Sequence, residues 1–203
     1  MPTIAVVSLK GGVGKTTTSV YLAAAAVERG MPALIADANP DGGAARWIEG
    51  AERVGSPLDV TCIETPSDRL LRRLTDVAAE PGSLVVIDTP PNDSLLTQVA
   101  IEGADAVVVA TRAGIALEIE RVWATLRLVP EHKPRGIVVC AGVTGSNVLS
   151  ETVEGWRLSG VETWGVIPQR VGIAATVAPL DRTGRAVYGE VLSAILSKLT
   201  VAQ

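Results

Sequence analysis

The chain has 203 residues, a net charge of −4 and a hydrophobic content of 47%, with two cysteines and one histidine. This length suits one domain (residues 1–203) with a sizeable core, and so few cysteines and histidines indicate reduced thiols and exclude a metal cluster. Bulk charge gives no support for nucleic-acid binding, although residues 1–111 carry −6 and residues 112–203 carry +2.

Strand-like and helix-like patterns alternate along the chain. Apolar runs predict strands at 3–8, 32–36, 58–63, 83–88, 105–110, 136–141 and 161–166. Helical spacing predicts helices near 15–29, 42–52, 67–79, 94–102, 115–129, 147–158, 170–178 and 184–200. This alternation is typical of an α/β fold, a mostly parallel twisted sheet of about seven strands with helices on both faces. Ligands of such folds bind at the carboxyl ends of the strands.

A glycine-rich segment follows the first strand: Lys10-Gly11-Gly12-Val13-Gly14-Lys15-Thr16-Thr17. Glycines let the backbone approach phosphate oxygens closely, and the next helix adds partial positive charge at its N-terminus. The pattern predicts a phosphate-binding loop in which Lys15 contacts the β- and γ-phosphates and the Thr16 hydroxyl binds Mg²⁺. Because such loops use ATP or GTP, we expect a cytoplasmic protein. Lys10 is unusual, since an ordinary phosphate loop needs no lysine there.

Three later strand ends carry polar residues. Asp88 ends the fourth strand, and an Asp at this position in phosphate-loop enzymes binds Mg²⁺ directly or through water. Asp37 ends the second strand, where its position favours contact with Mg²⁺ or water, and a turn or helix-cap role is the alternative. The fifth strand ends at Thr111 and Arg112.

The motifs Lys-Gly-Gly-Val-Gly-Lys-Thr-Thr, Asp-x-x-Pro and Val-Ile-Asp-Thr-Pro-Pro, in this order, resemble those of the ParA/MinD family of deviant Walker ATPases. The resemblance covers nearly the whole chain. Residues 101–110 resemble the strand after the second acidic motif. The segment 166–170 resembles the one that flanks the nucleotide base, which implies base contacts for Pro168 and Arg170. The short length, without an N-terminal helix-turn-helix extension, resembles the small ParA type that partitions low-copy plasmids, or a relative that positions other cargo.

The resemblance implies ATP and Mg²⁺ as cofactors, slow hydrolysis of ATP and a homodimer that encloses ATP. In that family, the lysine at the position of Lys10 crosses the dimer interface and contacts the phosphates of the partner's nucleotide. A cation supplied in this way would neutralise developing charge. Members of this type bind DNA without sequence preference and act with a ParB-like partner. We therefore expect association with the nucleoid in the ATP-bound state, and no membrane.

Asn39 departs from the family pattern, which is usually Asp-x-Asp-Pro-Gln after the second strand. The second Asp of that pattern helps to place the attacking water, and Asn39 stands in its position, with Asp41 in place of the Gln. An asparagine can hydrogen-bond a water but cannot accept its proton. We expect slowed hydrolysis, with Asp37 or Asp41 as alternatives for this role.

The basic residues and the C-terminal helix bear on the choice between DNA binding and the alternative functions. The candidates for DNA contact are Arg69, Arg72, Arg73, Arg157, Arg170, Arg182, Arg185 and Lys198. A MinD-like membrane-associated ATPase is one alternative, but its anchor would need several cations where the stretch 187–199 has only Lys198, so we expect that helix to pack in the core. A small-molecule kinase or ligase is the other alternative, although no inserted segment supplies a polar substrate pocket.

Overall fold

The computed structural model describes residues 2–76, 82–112, 116–142, 145–174 and 180–201. The strands are β1 (Thr3–Val7), β2 (Ala33–Asp37), β3 (Thr61–Glu64), β4 (Leu84–Asp88), β5 (Ala106–Thr111), β6 (Arg135–Gly142) and β7 (Thr163–Pro168). The helices are α1 (Lys15–Val27), α2 (Gly43–Arg53), α3 (Asp68–Asp76), α4 (Ser94–Gly103), α5 (Ala116–Leu126), α6 (Asn147–Leu158), α7 (Val171–Ala174) and α8 (Arg182–Val201).

The strands form one parallel sheet in the order β3-β2-β4-β1-β5-β6-β7, which confirms the predicted fold class. β1 lies between β4 and β5, so the segment that follows it begins at the middle of the carboxyl edge of the sheet. β2 and β4 are neighbours, and their register pairs Asp37 with Asp88. The two acidic residues predicted at strand ends therefore lie side by side.

Helices cover both faces of the sheet. α1, α2 and α8 pack on one face, and α4, α5 and α6 pack on the other. Every residue of β1, β4 and β5 is buried, which explains why these strands read as continuous apolar runs. Tyr188, Val191 and Ile195 of α8 are fully buried, so the C-terminal helix is a core element as predicted. Within the described ranges, no helix is long and apolar enough to cross a membrane.

Some element boundaries differ from the prediction for local reasons. β3 begins three residues later than predicted, because Asp59 has a left-handed backbone (φ 50°) that interrupts the extended run. α1 ends at Val27 instead of residue 29, and Gly30 (φ 74°) then reverses the chain. α5 ends at Leu126, ahead of Pro130. The predicted ends of two helices, at 77–79 and 175–178, lie outside the described residues, as does residue 115.

Candidate nucleotide-binding site

The predicted phosphate loop connects β1 to α1 at the carboxyl edge of the sheet. Gly12 and Gly14 have positive φ angles of 72° and 102°, so the turn depends on residues without a side chain. Gly14 is the N-cap of α1, and no described side chain caps this helix end. The N–H groups of the first turn are therefore suited to binding an anion. A Cβ on Gly14 would lie 2.8 Å from the sulfur of Cys140, which shows how closely the loop packs on β6.

The two lysines lie at opposite ends of this loop. The Lys15 side chain is buried, and its Nζ donates a hydrogen bond to the carbonyl oxygen of Lys10 at 3.0 Å. Burial lowers the pKa of Lys15, and the charge of Asp88 opposes that shift. Lys10 itself is half-buried and directly precedes Gly11. The amino group of Lys15 thus joins the two ends of the loop within one subunit.

Asp88 is fully buried beneath the loop. Its two carboxylate oxygens accept hydrogen bonds from the hydroxyls of Thr16 at 2.7 Å and Ser19 at 3.0 Å. Burial raises the pKa of Asp88 to about 7, and the charge of Asp37 adds to this, although both hydroxyls oppose it. Carboxylate and hydroxyl oxygens suit Mg²⁺, and a bound cation would add to the positive charge that Lys15 already places near this buried carboxylate. Thr16 and Asp88 would hold Mg²⁺, which would neutralise phosphate charge.

Asp37 and Asn39 form the adjoining part of the site. Asp37 is fully buried, and it accepts the backbone N–H groups of Ala44 at 2.8 Å, Ala45 at 3.2 Å and Asn39 at 3.1 Å. In this conformation the carboxylate fixes the start of α2 and the turn at Asn39. This is the turn or helix-cap role that the sequence analysis gave as the alternative for Asp37. A carboxylate has about four acceptor positions, so one remains for Mg²⁺ or water. A Mg²⁺ role for Asp37 stays a prediction.

Asn39 is positioned by its own turn. Its Oδ1 accepts the backbone N–H of Asp41 at 3.2 Å, while its Nδ2 faces Gly43 at the start of α2. A Cβ on Gly43 would lie 3.4 Å from the Thr16 side chain and 3.7 Å from the Asn39 amide. Thr16 and Asn39 therefore flank one small space beside Asp88.

A cavity of about 570 Å³ opens above these residues. Its lining includes the loop from Gly11 to Thr17, together with Asn39, Arg112, Pro168 and Arg170. Its volume falls within the range of small-molecule sites, which is about 300–1,000 Å³. The structure thus brings the predicted loop, water-placing and base-flanking residues around one space, while Asp37 and Asp88 lie beneath it. Arg170 is held by Asp181, which also accepts N–H groups at the start of α8.

A buried polar cluster beside the loop was missed by the sequence interpretation. The Thr18 hydroxyl is 2.9 Å from the Tyr188 hydroxyl and 3.6 Å from the Cys140 sulfur, and the latter two residues line the cavity. Cys140 lies near the end of β6, so the strand-end rule could have identified it. Tyr188 lies on α8 and carries no signal in the sequence. The cluster ties α1, β6 and α8 together beside the phosphate loop.

The fold and this site define a phosphate-loop nucleotide-binding domain. Residues 4–181 match the family described as CobQ/CobB/MinD/ParA nucleotide binding domain. The chain belongs to this family of nucleotide-binding ATPases, as the resemblance of its motifs predicted.

Relatives and solved structures agree with this assignment. The chain is 42% identical over 109 residues to maintenance of carboxysome distribution protein A of Gloeobacter kilaueensis, a match that covers 53% of this chain and 48% of that protein. It is 29% identical to the chromosome-partitioning ATPase Soj of Thermus thermophilus, over 84% of this chain and 82% of that protein. The fold is similar to that of a putative plasmid partition protein from Borrelia burgdorferi bound to AMPPNP, with a TM-score of 0.78, 17% identity and coverage of 97% and 98%.

Proposed function

We propose that this ATPase forms a homodimer enclosing ATP and Mg²⁺, binds DNA without sequence preference, and positions plasmid DNA or another cargo with a ParB-like partner. The observation that carries the proposal is that the two lysines of the loop have different environments. Lys15 is buried and hydrogen-bonded within its own loop, beside Asp88. Lys10 is half-buried and directly precedes Gly11, the first loop residue that lines the cavity, which suits a contact with a nucleotide in a second subunit.

The names of the relatives support cargo positioning. A chromosome-partitioning ATPase matches most of this chain, whereas a carboxysome distribution protein matches about half of it at higher identity. Cargo other than DNA is therefore part of the proposal. The burial of α8 favours a partition ATPase over a MinD-like membrane ATPase, because the apolar side of that helix packs against α1 and β7. In the cell, the ATP-bound dimer would associate with the nucleoid.

Sedimentation velocity with and without ATP–Mg²⁺ tests the dimer, with three variants. We expect Lys10→Ala to retain ATP binding, measured by calorimetry, while losing the ATP-dependent dimer. Lys15→Ala should lose both, because it removes the phosphate-contacting charge. Lys198→Ala is the control, since this exposed lysine lies outside the cavity. A Lys10→Ala protein that still dimerises with ATP would refute the role assigned to this lysine.

Asn39 leads us to propose slow hydrolysis and a long-lived ATP dimer. Its amide lies beside Thr16 and can orient a water, but it cannot take a proton from it. Phosphoryl transfer depends more on positioning than on a base, so the rate should fall without vanishing.

Single-turnover hydrolysis of the wild type and Asn39→Asp tests this. An aspartate would keep the acceptor for the Asp41 N–H, so the turn should be preserved. We expect faster hydrolysis in the variant. Asn147→Asp makes the same chemical change at the exposed start of α6 and should leave the rate unchanged. An Asn39→Asp protein no faster than wild type would count against the hypothesis.

Ion pairs narrow the set of cations for the proposed DNA contact. Five of the eight candidates pair with carboxylates: Arg72 with Glu102, Arg157 with Glu154, Arg170 with Asp181, Arg185 with Glu28 and Lys198 with Glu162. Arg69 and Arg73 are exposed one turn apart on α3, and Arg182 is exposed at the start of α8. These three are our first choices for contact with phosphates.

Co-sedimentation with random duplex DNA at several salt concentrations tests DNA binding. We expect binding only with ATP, and a steep fall as salt rises, because phosphate contacts release counterions. Arg69→Gln with Arg73→Gln should weaken binding and flatten the salt dependence, whereas Arg157→Gln, whose arginine is already paired, should do neither. A salt-independent binding curve would argue against DNA as the partner surface.

A further inference from the structure

Arg112 is a cation of the nucleotide cavity that the proposed function leaves without a role. It directly follows β5, and it lines the cavity of about 570 Å³ together with the phosphate loop. The preceding residue, Thr111, is buried, whereas Arg112 is exposed, so the strand anchors the backbone while the guanidinium faces the cavity. Within the described ranges no carboxylate pairs with Arg112, whereas Arg170, another arginine of this lining, is held by Asp181.

The strand register places Arg112 beside the turn of the phosphate loop. β5 pairs with β6 so that Thr111 is level with Val139, and Arg112 therefore comes level with Cys140. A Cβ on Gly14 of the loop would lie 2.8 Å from the Cys140 sulfur. Burial raises the pKa of Cys140, and the positive charge of Arg112 is one of the influences that oppose this rise. The guanidinium is thus near the sulfur on which the loop packs.

The order of the strands indicates which part of a nucleotide lies over β5. Asp88 ends β4, on one side of β1, and it accepts the hydroxyl of Thr16, the other predicted Mg²⁺ ligand. Mg²⁺ bridges the β- and γ-phosphates of a bound nucleotide, so these phosphates belong on that side. At the far end of the cavity, after β7, Pro168 and Val171 offer an apolar lining that suits a base.

A nucleotide that spans these two ends crosses the end of β5 with its α-phosphate. β5 is the strand next to β1 on the side away from β4, and neighbouring strands are about 5 Å apart. An arginine side chain at the end of β5 can therefore reach a phosphate held by the loop that follows β1. Arg112 approaches that phosphate from the side opposite to Asp88 and Thr16.

We propose that Arg112 binds the α-phosphate of the nucleotide in its own subunit, on the side of the polyphosphate opposite to Mg²⁺. A guanidinium presents a planar set of N–H donors that matches two phosphate oxygens. The contact serves ATP and ADP alike, because both carry an α-phosphate. It lies within one subunit, so it depends on nucleotide binding and not on the proposed dimer or its cargo.

Calorimetric titration of the full chain with three Mg²⁺-bound ligands tests the proposal: AMPPNP, ADP and inorganic tripolyphosphate. Arg112→Gln removes the charge and the N–H donors of the guanidinium. Arg127→Gln is the matched control, because Arg127 is also an exposed arginine, directly follows α5 and lies outside the cavity lining. Urea unfolding without nucleotide should be the same for the wild type and both variants, since both side chains are exposed.

We expect Arg112→Gln to weaken the binding of all three ligands by about tenfold, the effect of one charge-assisted hydrogen bond at an exposed position. Arg127→Gln should leave all three affinities unchanged. A loss for AMPPNP but not for ADP would assign Arg112 to the γ-phosphate, and a loss for both nucleotides but not for tripolyphosphate would assign it to the ribose or base. Either result would overturn the proposal, as would unchanged binding or equal weakening by Arg127→Gln.

The same titration in a Lys10→Ala background separates this contact from the proposed dimer. Sedimentation velocity with AMPPNP identifies which proteins are monomers. In a monomeric Lys10→Ala protein, Arg112→Gln should still weaken AMPPNP by about tenfold, because the contact is made within one subunit. An effect that disappears in the monomer would place Arg112 against the partner's nucleotide and refute the assignment. A Lys10→Ala protein that still dimerises would contradict the role of Lys10 alone, and the ADP titration would still decide the role of Arg112.

Discussion

The contact between Gly14 and Cys140 gives a sharp prediction for the phosphate loop. Gly14 has φ 102°, and a Cβ there would lie 2.8 Å from the Cys140 sulfur and 3.0 Å from its Cβ. Gly14→Ala therefore combines two penalties. A side chain in a left-handed conformation costs roughly 1–2 kcal/mol. Forcing a methyl group into a packed contact costs roughly a further 1–3 kcal/mol.

We therefore expect Gly14→Ala to lower the free energy of unfolding by about 2–5 kcal/mol. In a Cys140→Ala background the sulfur is gone, although the close Cβ remains, so the penalty should fall by about 1–2 kcal/mol without disappearing. Gly12→Ala is the control, because no described atom lies within 4 Å of the place that a methyl group on Gly12 (φ 72°) would take. This variant should show the backbone penalty alone, with either Cys140 or Ala at position 140.

Urea unfolding of the four proteins in this cycle, without nucleotide, measures the coupling between positions 14 and 140. Independent sites add to within about 0.3–0.5 kcal/mol. A Gly14→Ala penalty that is the same in both backgrounds, within that margin, would refute the steric argument. A coupling of the same size for Gly12→Ala would show that the effect does not come from contact with the sulfur.

Three further predictions concern buried residues, around the loop for Asp88 and Tyr188 and at the start of β6 for Gly136. The pKa of Asp88 is raised from 3.8 to about 7, so the folded protein binds the carboxyl proton more tightly than the unfolded chain does. The free energy of unfolding should therefore fall as pH rises from 4 to 7 and then level off. Urea unfolding of Asp88→Asn should lack this part of the pH dependence. Gly136→Ala should cost about 1–3 kcal/mol in the same assay, because the methyl group overlaps Trp164. Tyr188→Phe should cost about 1 kcal/mol by removing the hydrogen bond with Thr18, and an unchanged stability would contradict that bond.

Much of the fold could be predicted from local patterns. β1, β4 and β5 are buried on both sides, so their apolar runs are continuous and their positions were found to within a residue. β3 was predicted too early, because Leu58 and Val60 are buried like strand residues although Asp59 has a left-handed backbone. A pattern of burial does not distinguish a packed loop from a strand when one residue breaks the extended conformation.

The candidate site was predictable where it lies at strand ends. Parallel strands place their carboxyl ends at one edge, so the loop and Asp88 are expected at the same edge of the sheet. The pairing of β4 with β1 then brings them into contact. The role of Asp37 was less determined. Its contacts with the N–H groups of Ala44 and Ala45 depend on how α2 returns to β2, and nothing in the residue pattern fixes that distance.

By itself, the sequence determined the phosphate loop and its family, because glycine conformations, strand periodicity and a fixed order of motifs are properties of neighbouring residues. Only the tertiary structure decided that Asp37 adjoins Asp88, that Cys140 lies against Gly14, and that five candidate DNA-binding cations are paired with carboxylates. Apart from the Arg157–Glu154 pair within α6, each of these contacts joins residues of different segments that strand order or helix packing brings together. Side-chain periodicity reports whether a residue is buried, and it carries no information about the partner that buries it.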